Sequence, residues 1–335
     1  MTSVVFEPSA SAQAGAGRGV RGRAGPDRSA SGHWHVREEA VMGTAVRVEL
    51  WATEPGVARA AMAAVMAEMH RIDRCMSPHK PDSELSRINR HAAQAAVEVS
   101  SEMLRLLRRA VEFSERTDGA FDITYASAGH LYDYRQQIRP DDAALALGCA
   151  AVGWRNLVLD MQARTVRFAR AGMRIDLGGF AKGHAVDNAV AILARHGIGH
   201  AYVSVGGDSR VIGDRRGRPW TIAIRHPRRP GEIVAVLPLD DVAISTSGDY
   251  ERYFEEDGQR YHHILVPGTG KSPDAVRSVT VIGANATRTD GLTKTVFILG
   301  VERGMEFIRK LGDVEAVIVD RDGQIFYSAG LEPPR

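Results

Sequence analysis

At 335 residues, with 44% hydrophobic and 25% charged content, the chain can hold one large domain or two ordinary ones and bury a core without staples. A formal net charge of +2 gives no electrostatic case for a nucleic-acid or membrane partner. Two cysteines, Cys75 and Cys149, exclude a disulfide framework and any multi-cysteine metal site, and no apolar run nears the ~20 residues of a membrane-spanning helix.

Residues 1–32 are rich in Gly, Ala, Ser and Arg and read as a disordered tail, with an Arg- and Ser-rich targeting peptide as the alternative. They hold neither a secretory apolar stretch nor a cysteine to carry a lipid, so the expected location is the cytoplasm. GAGRG at 15–19 follows no strand and is not a dinucleotide fingerprint. From His33 the texture is globular. Thr44–Trp51 alternates as a strand, and Ala58, Met62, Val65, Met69, Ile72 and Met76 form the core stripe of a long helix. MSPHKPDSELSRIN at 76–89 reads as a loop, and a second helix is expected over 101–116. Residues 120–160 are irregular around one short helix. TVRFAR and MRIDL, within 165–177, read as paired strands, and a helix over 181–196 stops at Gly197. Six short β-rich runs follow: AYVSVGG, WTIAIR, IVAVLPL, VAISTSG, RYHHILV and RSVTVIG. Helices near 290–299, ending at Gly300, and 303–311 precede the closing strands AVIVD and QIFYSAG. Strands cluster between few helices, so the fold class is α+β with mixed, largely antiparallel sheets and packed helices.

Several stretches carry chemistry. In RIDLGGFAKGHAVD, 174–187, two glycines lead into a helix with Lys182 in its first turn, a place where free backbone N–H groups and an ammonium can hold a phosphate while Asp176 accepts a hydrogen bond. GTGKS at 268–272 has Leu265 where a P-loop needs glycine, so it is read as a turn. ISTSG lacks the leading glycine of a nucleophile elbow. His262 and His263 point to opposite faces of a strand, one packed and the other free to act as a base. TDGAFDIT at 117–124 is a turn in which Phe121 and the backbone can meet a flat ring. In TDGLTK at 289–294, Asp290 and Lys294 share a helix face, as an ordinary ion pair or as part of a site.

Together these pieces resemble the ApbE family, the FAD-dependent protein FMN transferases. The resemblance runs in order through MGT at 42–44, MSPHKPDSELSRIN, TDGAFDIT, IDLGGFAKGHAVD, VSVGGD at 203–208, STSGDY at 245–250, YHHILVPGTG at 261–270 and TDGLTKTVFILG at 289–300. It implies one transferase domain over 33–331, with FAD in a cleft between two lobes. It also implies transfer of FMN to a Ser or Thr hydroxyl of a redox protein through a phosphoester, with release of AMP. By the same resemblance Met42, His79, Gly119, Ala120, Phe121, Asp176, Lys182 and Leu265 would contact FAD. His263 would be the catalytic base, with Lys182 beside the reacting phosphates, and Asp249 could assist. Mg²⁺ would be held by Gly179, through its carbonyl, and Asp290, and the second side-chain ligand, a Thr in relatives, falls at Lys294. A protonated lysine has no acceptor and cannot ligate a metal, and Thr293 is one residue off that face. Val266 likewise stands where relatives have Asp. The competing readings are a non-catalytic FAD-binding protein and an FAD pyrophosphatase.

Overall fold

The computed structural model describes residues 31–331 and the backbone of Val4–Val5. In chain order the strands are β1 Val4–Val5, β2 His33–Val41, β3 Thr44–Ala52, β4 Val97–Glu98, β5 Leu157–Asp160, β6 Thr165–Phe168, β7 Ala201–Val205 and β8 Asp208–Ile212. They continue with β9 Trp220–Arg225, β10 Ile233–Leu239, β11 Ala243–Gly248, β12 Tyr253–Glu256, β13 Gln259–His262, β14 Val276–Gly283, β15 Glu315–Asp320 and β16 Ile325–Tyr327. The helices are α1 Pro55–Met76, α2 Glu84–His91, α3 Ser101–Arg116, α4 Ala126–Gly129, α5 Asp142–Ala150, α6 Ala181–Arg195 and α7 Ala286–Leu311. The tail expected over 1–32 lies outside the described residues, apart from its last two and β1, whose backbone pairs with β9.

Eight strands form the main sheet, in the order β16-β15-β14-β11-β8-β7-β3-β2, and every pairing within it is antiparallel. α1, α6 and α7 cover one face, α6 lying over β7 and β8 and α7 over β11 and β14. The stripe anticipated in α1 is buried throughout, against Val46, Val48 and Leu50 of β3 and Leu104 and Leu107 of α3. A second apolar cluster joins α7 to β14 and β15. The opposite face is closed by the β9–β10 hairpin, whose fully buried Trp220 packs with Tyr202 and Ile244. The α+β, antiparallel expectation therefore holds.

Three local expectations do not. The stretch 76–89 is a loop only to Ser83, whose hydroxyl accepts the Ser86 N–H at 3.0 Å and starts α2 as its N-cap. MRIDL has no strand partner. Its backbone is held by side chains and a loop instead, since Arg174 N donates to Ser127 Oγ at 3.0 Å, Ile175 N to Asn89 Oδ1 at 2.8 Å and Asp176 N to the Ile123 carbonyl at 3.0 Å. The strand through the histidines stops at His262. Gly300 interrupts α7 as expected, with φ 78° and ψ −175°.

Candidate active site

The Gly178–Gly179 turn delivers α6 against the start of α7. Asp187 of α6 caps α7 in place of solvent, accepting the N–H groups of Ala286 and Thr287, each at 2.9 Å, and the Thr287 hydroxyl at 2.6 Å. The helices cross at Gly183, where a β-carbon would stand 2.3 Å from the Ala286 carbonyl oxygen. This contact brings Asp290, one turn along α7, to the N-terminus of α6. Asp290 Oδ2 accepts the Gly183 N–H at 3.1 Å. The helix start expected to receive a ligand phosphate thus already holds an anion, the protein's own Asp290.

Around that carboxylate sit two ammoniums. Lys294 Nζ bonds Asp290 Oδ1 from one turn away, and Lys182 Nζ lies 3.7 Å from the same oxygen while bonding Asp208 Oδ2. Both aspartates are fully buried, whereas the Lys182 and Lys294 side chains are 29% and 16% exposed, so the lysines are the partly open members of the cluster. Burial opposes charge on Asp290, but the two lysines and the Gly183 N–H hold its carboxyl below the usual range. Burial and the nearby Asp290 charge push Asp208 the other way, and among the described residues its Oδ1 has no partner. Burial works against the charge on Lys182, but Asp208 and Asp290 outweigh it and raise its pKa.

His263 follows β13 and stands close enough to feel Arg252 and Lys294. Burial first, then the Arg252, His262 and Lys294 charges, push its pKa down to about 3, so its ring is neutral and its buried Nδ1 has no partner. His262 is the packed member of the pair, with Nε2 2.8 Å from the Pro273 carbonyl oxygen and its ring edge-on to Phe297. Asp249 is forked by Arg228, with one contact at 2.7 Å, and lies 3.6 Å from Arg260, which leaves it an ion-pair anchor rather than a base.

A second wall joins the 120s loop to the glycine turn. Asp176 Oδ1 accepts the Gly178 N–H at 2.5 Å. Tyr125 lies beside that carboxylate, and burial together with the Asp176 charge raises its pKa well above the ordinary value. Tyr125 and the buried Leu265 flank Gly129, their atoms 3.1 and 3.4 Å from where its β-carbon would be. Gly119, with φ 75°, and Ala120 are half-exposed on the turn that ends α3. Phe121 does not offer a free ring face. It is 5% exposed and packs with Phe113 and Phe180 at centroid distances of 5.0 and 4.9 Å, its edge beneath Gly179. Met42, at φ 54°, occupies the tip of the β2–β3 hairpin, alongside the β7–β8 turn that leads to Asp208. His79 is exposed in the turn after α1, its N–H 3.3 Å from Ser77 Oγ, and no contact ties it to the cluster.

Thr293, the neighbouring candidate for a metal ligand, turns to β11: its hydroxyl is fully buried, donates to the Asp290 carbonyl oxygen at 2.7 Å and lies 2.8 Å from Ser247 Oγ. The remaining donor set does not fit Mg²⁺, which demands near-octahedral oxygen ligands at about 2.0–2.1 Å. Asp290 is taken up by Lys294, Lys182 and the Gly183 N–H, so a dication there would lie against two ammoniums. The unpartnered Asp208 Oδ1 is a single oxygen, and the two lysines already balance the two carboxylates. Sequence reasoning had left out Asp208, Arg252 and Tyr125. Asp208 carried a signal, as the acid that closes VSVGGD; the other two had none.

The ApbE family model matches residues 42–318. The chain is similar to an FAD:protein FMN transferase of Treponema pallidum, 32% identical over 326 residues that cover 90% of each chain. A second FAD:protein FMN transferase, from Vibrio cholerae, is 34% identical and aligns over 79% of this chain and 81% of its own. The crystal structure of an ApbE protein from Thermotoga maritima superposes with a TM-score of 0.83 at 32% identity, covering 89% of this chain and 98% of that one.

Proposed function

The chain belongs to the ApbE family, and from that premise we propose that it is an FAD:protein FMN transferase that moves FMN from FAD to a Ser or Thr hydroxyl of an FMN-accepting redox protein. The observation that carries the reading is the cluster of Lys182, Lys294, Asp208 and Asp290, buried at its aspartates and partly open at its lysines, with a neutral histidine next to it. The pyrophosphate of FAD lies against the two ammoniums. Met42, Gly119, Ala120, Asp176 and Leu265 line the rest of the ligand's path.

The acceptor oxygen attacks the flavin-side phosphorus, forming one P–O bond as the bond to the bridging oxygen breaks, and AMP leaves with that oxygen. The hydroxyl proton passes to His263. Phosphoryl transfer asks mainly for positioning and charge neutralisation; the lysine N–H groups hold the pyrophosphate, and exposed Arg252 adds positive charge beyond the balanced cluster. His263 is a weak base in the free protein because burial, and then the Arg252, His262 and Lys294 charges, hold its pKa down. A bound pyrophosphate offsets those charges, so the imidazole gains basicity once FAD is present. Among the described residues no helix is long and apolar enough to cross a membrane, and a cytoplasmic setting is part of the proposal.

Mass spectrometry of a candidate acceptor incubated with enzyme and FAD tests the reading. An FMN-sized adduct on Ser or Thr supports it. Free FMN without an adduct would make the protein a pyrophosphatase, and intact FAD would make it a binder.

A further inference from the structure

We propose that the Lys294 ammonium does in this chain the work of a divalent cation, so that FAD is bound and its pyrophosphate neutralised without metal. The inference rests on the flavin-transfer reading and adds to it the identity of the cation. The i,i+4 spacing on α7 sets the Lys294 ammonium on Asp290 Oδ1. The Lys294 stem runs beside the glycine turn, its Cδ and Cε 3.7 Å from where a β-carbon of Gly179 would be. The ammonium's bond to Asp290, which in turn accepts the Gly183 N–H, places the charge at the start of α6.

An ammonium has three N–H donors. Asp290 takes one, which leaves two for phosphate oxygens on the partly exposed side of the cluster. Lys182 is committed to Asp208 and completes a neutral set of two cations and two anions. Exposed Arg252, whose charge reaches Lys182, His263 and Tyr125, supplies further positive charge at the rim. A dication added next to Asp290 would have to displace Lys294 or accept its repulsion.

Titrating FAD against the full chain by fluorescence, once in EDTA and once in millimolar Mg²⁺, reads the cation directly and needs no acceptor. The wild-type protein is expected to bind FAD equally in both, within about twofold. Lys294→Thr restores an acceptor hydroxyl, so it should bind about 10- to 100-fold more weakly in EDTA and recover with Mg²⁺. Lys294→Met, which keeps the stem length, should weaken similarly and not recover, and a thermal melt of each variant establishes that it is folded. Wild-type binding that falls more than about tenfold in EDTA and returns with Mg²⁺ would overturn the inference. So would folded variants that bind FAD like wild type in EDTA. No FAD binding under any condition would remove the flavin reading and this inference with it.

Discussion

Replacing Gly183 by alanine should damage the site without touching a charged group. The added methyl would sit 2.3 Å from the Ala286 carbonyl oxygen, 2.6 Å from its carbonyl carbon and 2.7 Å from Thr287 Cα. All three are backbone atoms of α7, so no side chain can rotate away. Reaching an ordinary C···O contact requires roughly 1 Å of extra separation between α6 and α7. That shift would lengthen the 3.1 Å bond from Gly183 N to Asp290 Oδ2 beyond hydrogen-bond range. Overpacking costs about 1–3 kcal/mol, and losing a hydrogen bond to a buried charge about 1.5–3 kcal/mol. We expect Gly183→Ala to lower unfolding free energy by about 3–5 kcal/mol in urea titrations, and Tm by about 5–8 °C. FAD affinity should fall in the protein that remains folded, because Asp290 and Lys294 move with α7, away from Lys182 on α6. A variant within about 0.5 kcal/mol of wild type, with unchanged FAD affinity, would refute the close crossing as the device that assembles the site.

His263→Ala should cut FMN transfer by about 10²–10⁴-fold in single-turnover assays, with FAD affinity changed little, and equal losses in both would argue for a binding role. Asp187→Ala leaves the Asn285 cap of α7 in place and should cost about 1–3 kcal/mol in urea unfolding, since two N–H groups and a hydroxyl lose their acceptor. Burial opposes charge on Glu102, yet Arg71 and His184 hold its carboxyl down to about 2. A depressed folded-state pKa stabilises above the unfolded value and is lost as pH falls from about 4.5 toward 2. With its side chain 23% exposed, the discounted contribution is about 1–2 kcal/mol. Glu102→Gln should therefore be less stable than wild type near neutrality and converge with it near pH 2 in acid-unfolding curves.

Much of the architecture was legible because its signals are local. The helical stripe from Ala58 to Met76 and the alternation from Val46 to Leu50 each follow from a period of 3.6 or 2, which tertiary packing then buries. MRIDL misled because strand propensity does not say where hydrogen bonds go, and Asn89, Ser127 and Ile123 took up its backbone instead of a ladder. α2 was overlooked between two prolines and a polar stretch, although Ser83 carried its cap signal.

The sequence by itself determined the resemblance, the glycine turn before Lys182 and the i,i+4 pairing of Asp290 with Lys294, all properties of neighbours along one backbone. What each charge faces is set by how the elements pack. Lys182 meets Asp208 across 26 residues and Gly183 meets Asp290 across 107, contacts created by the α6–α7 crossing and the end of β8. The crossing also filled the helix N-terminus with Asp290, while Phe113 and Phe180 packed Phe121 beneath Gly179. Spacing can say that two side chains share a helix face. Which carboxylate lies under which ammonium depends on how closely two helices approach, and here the missing side chain of Gly183 sets that distance.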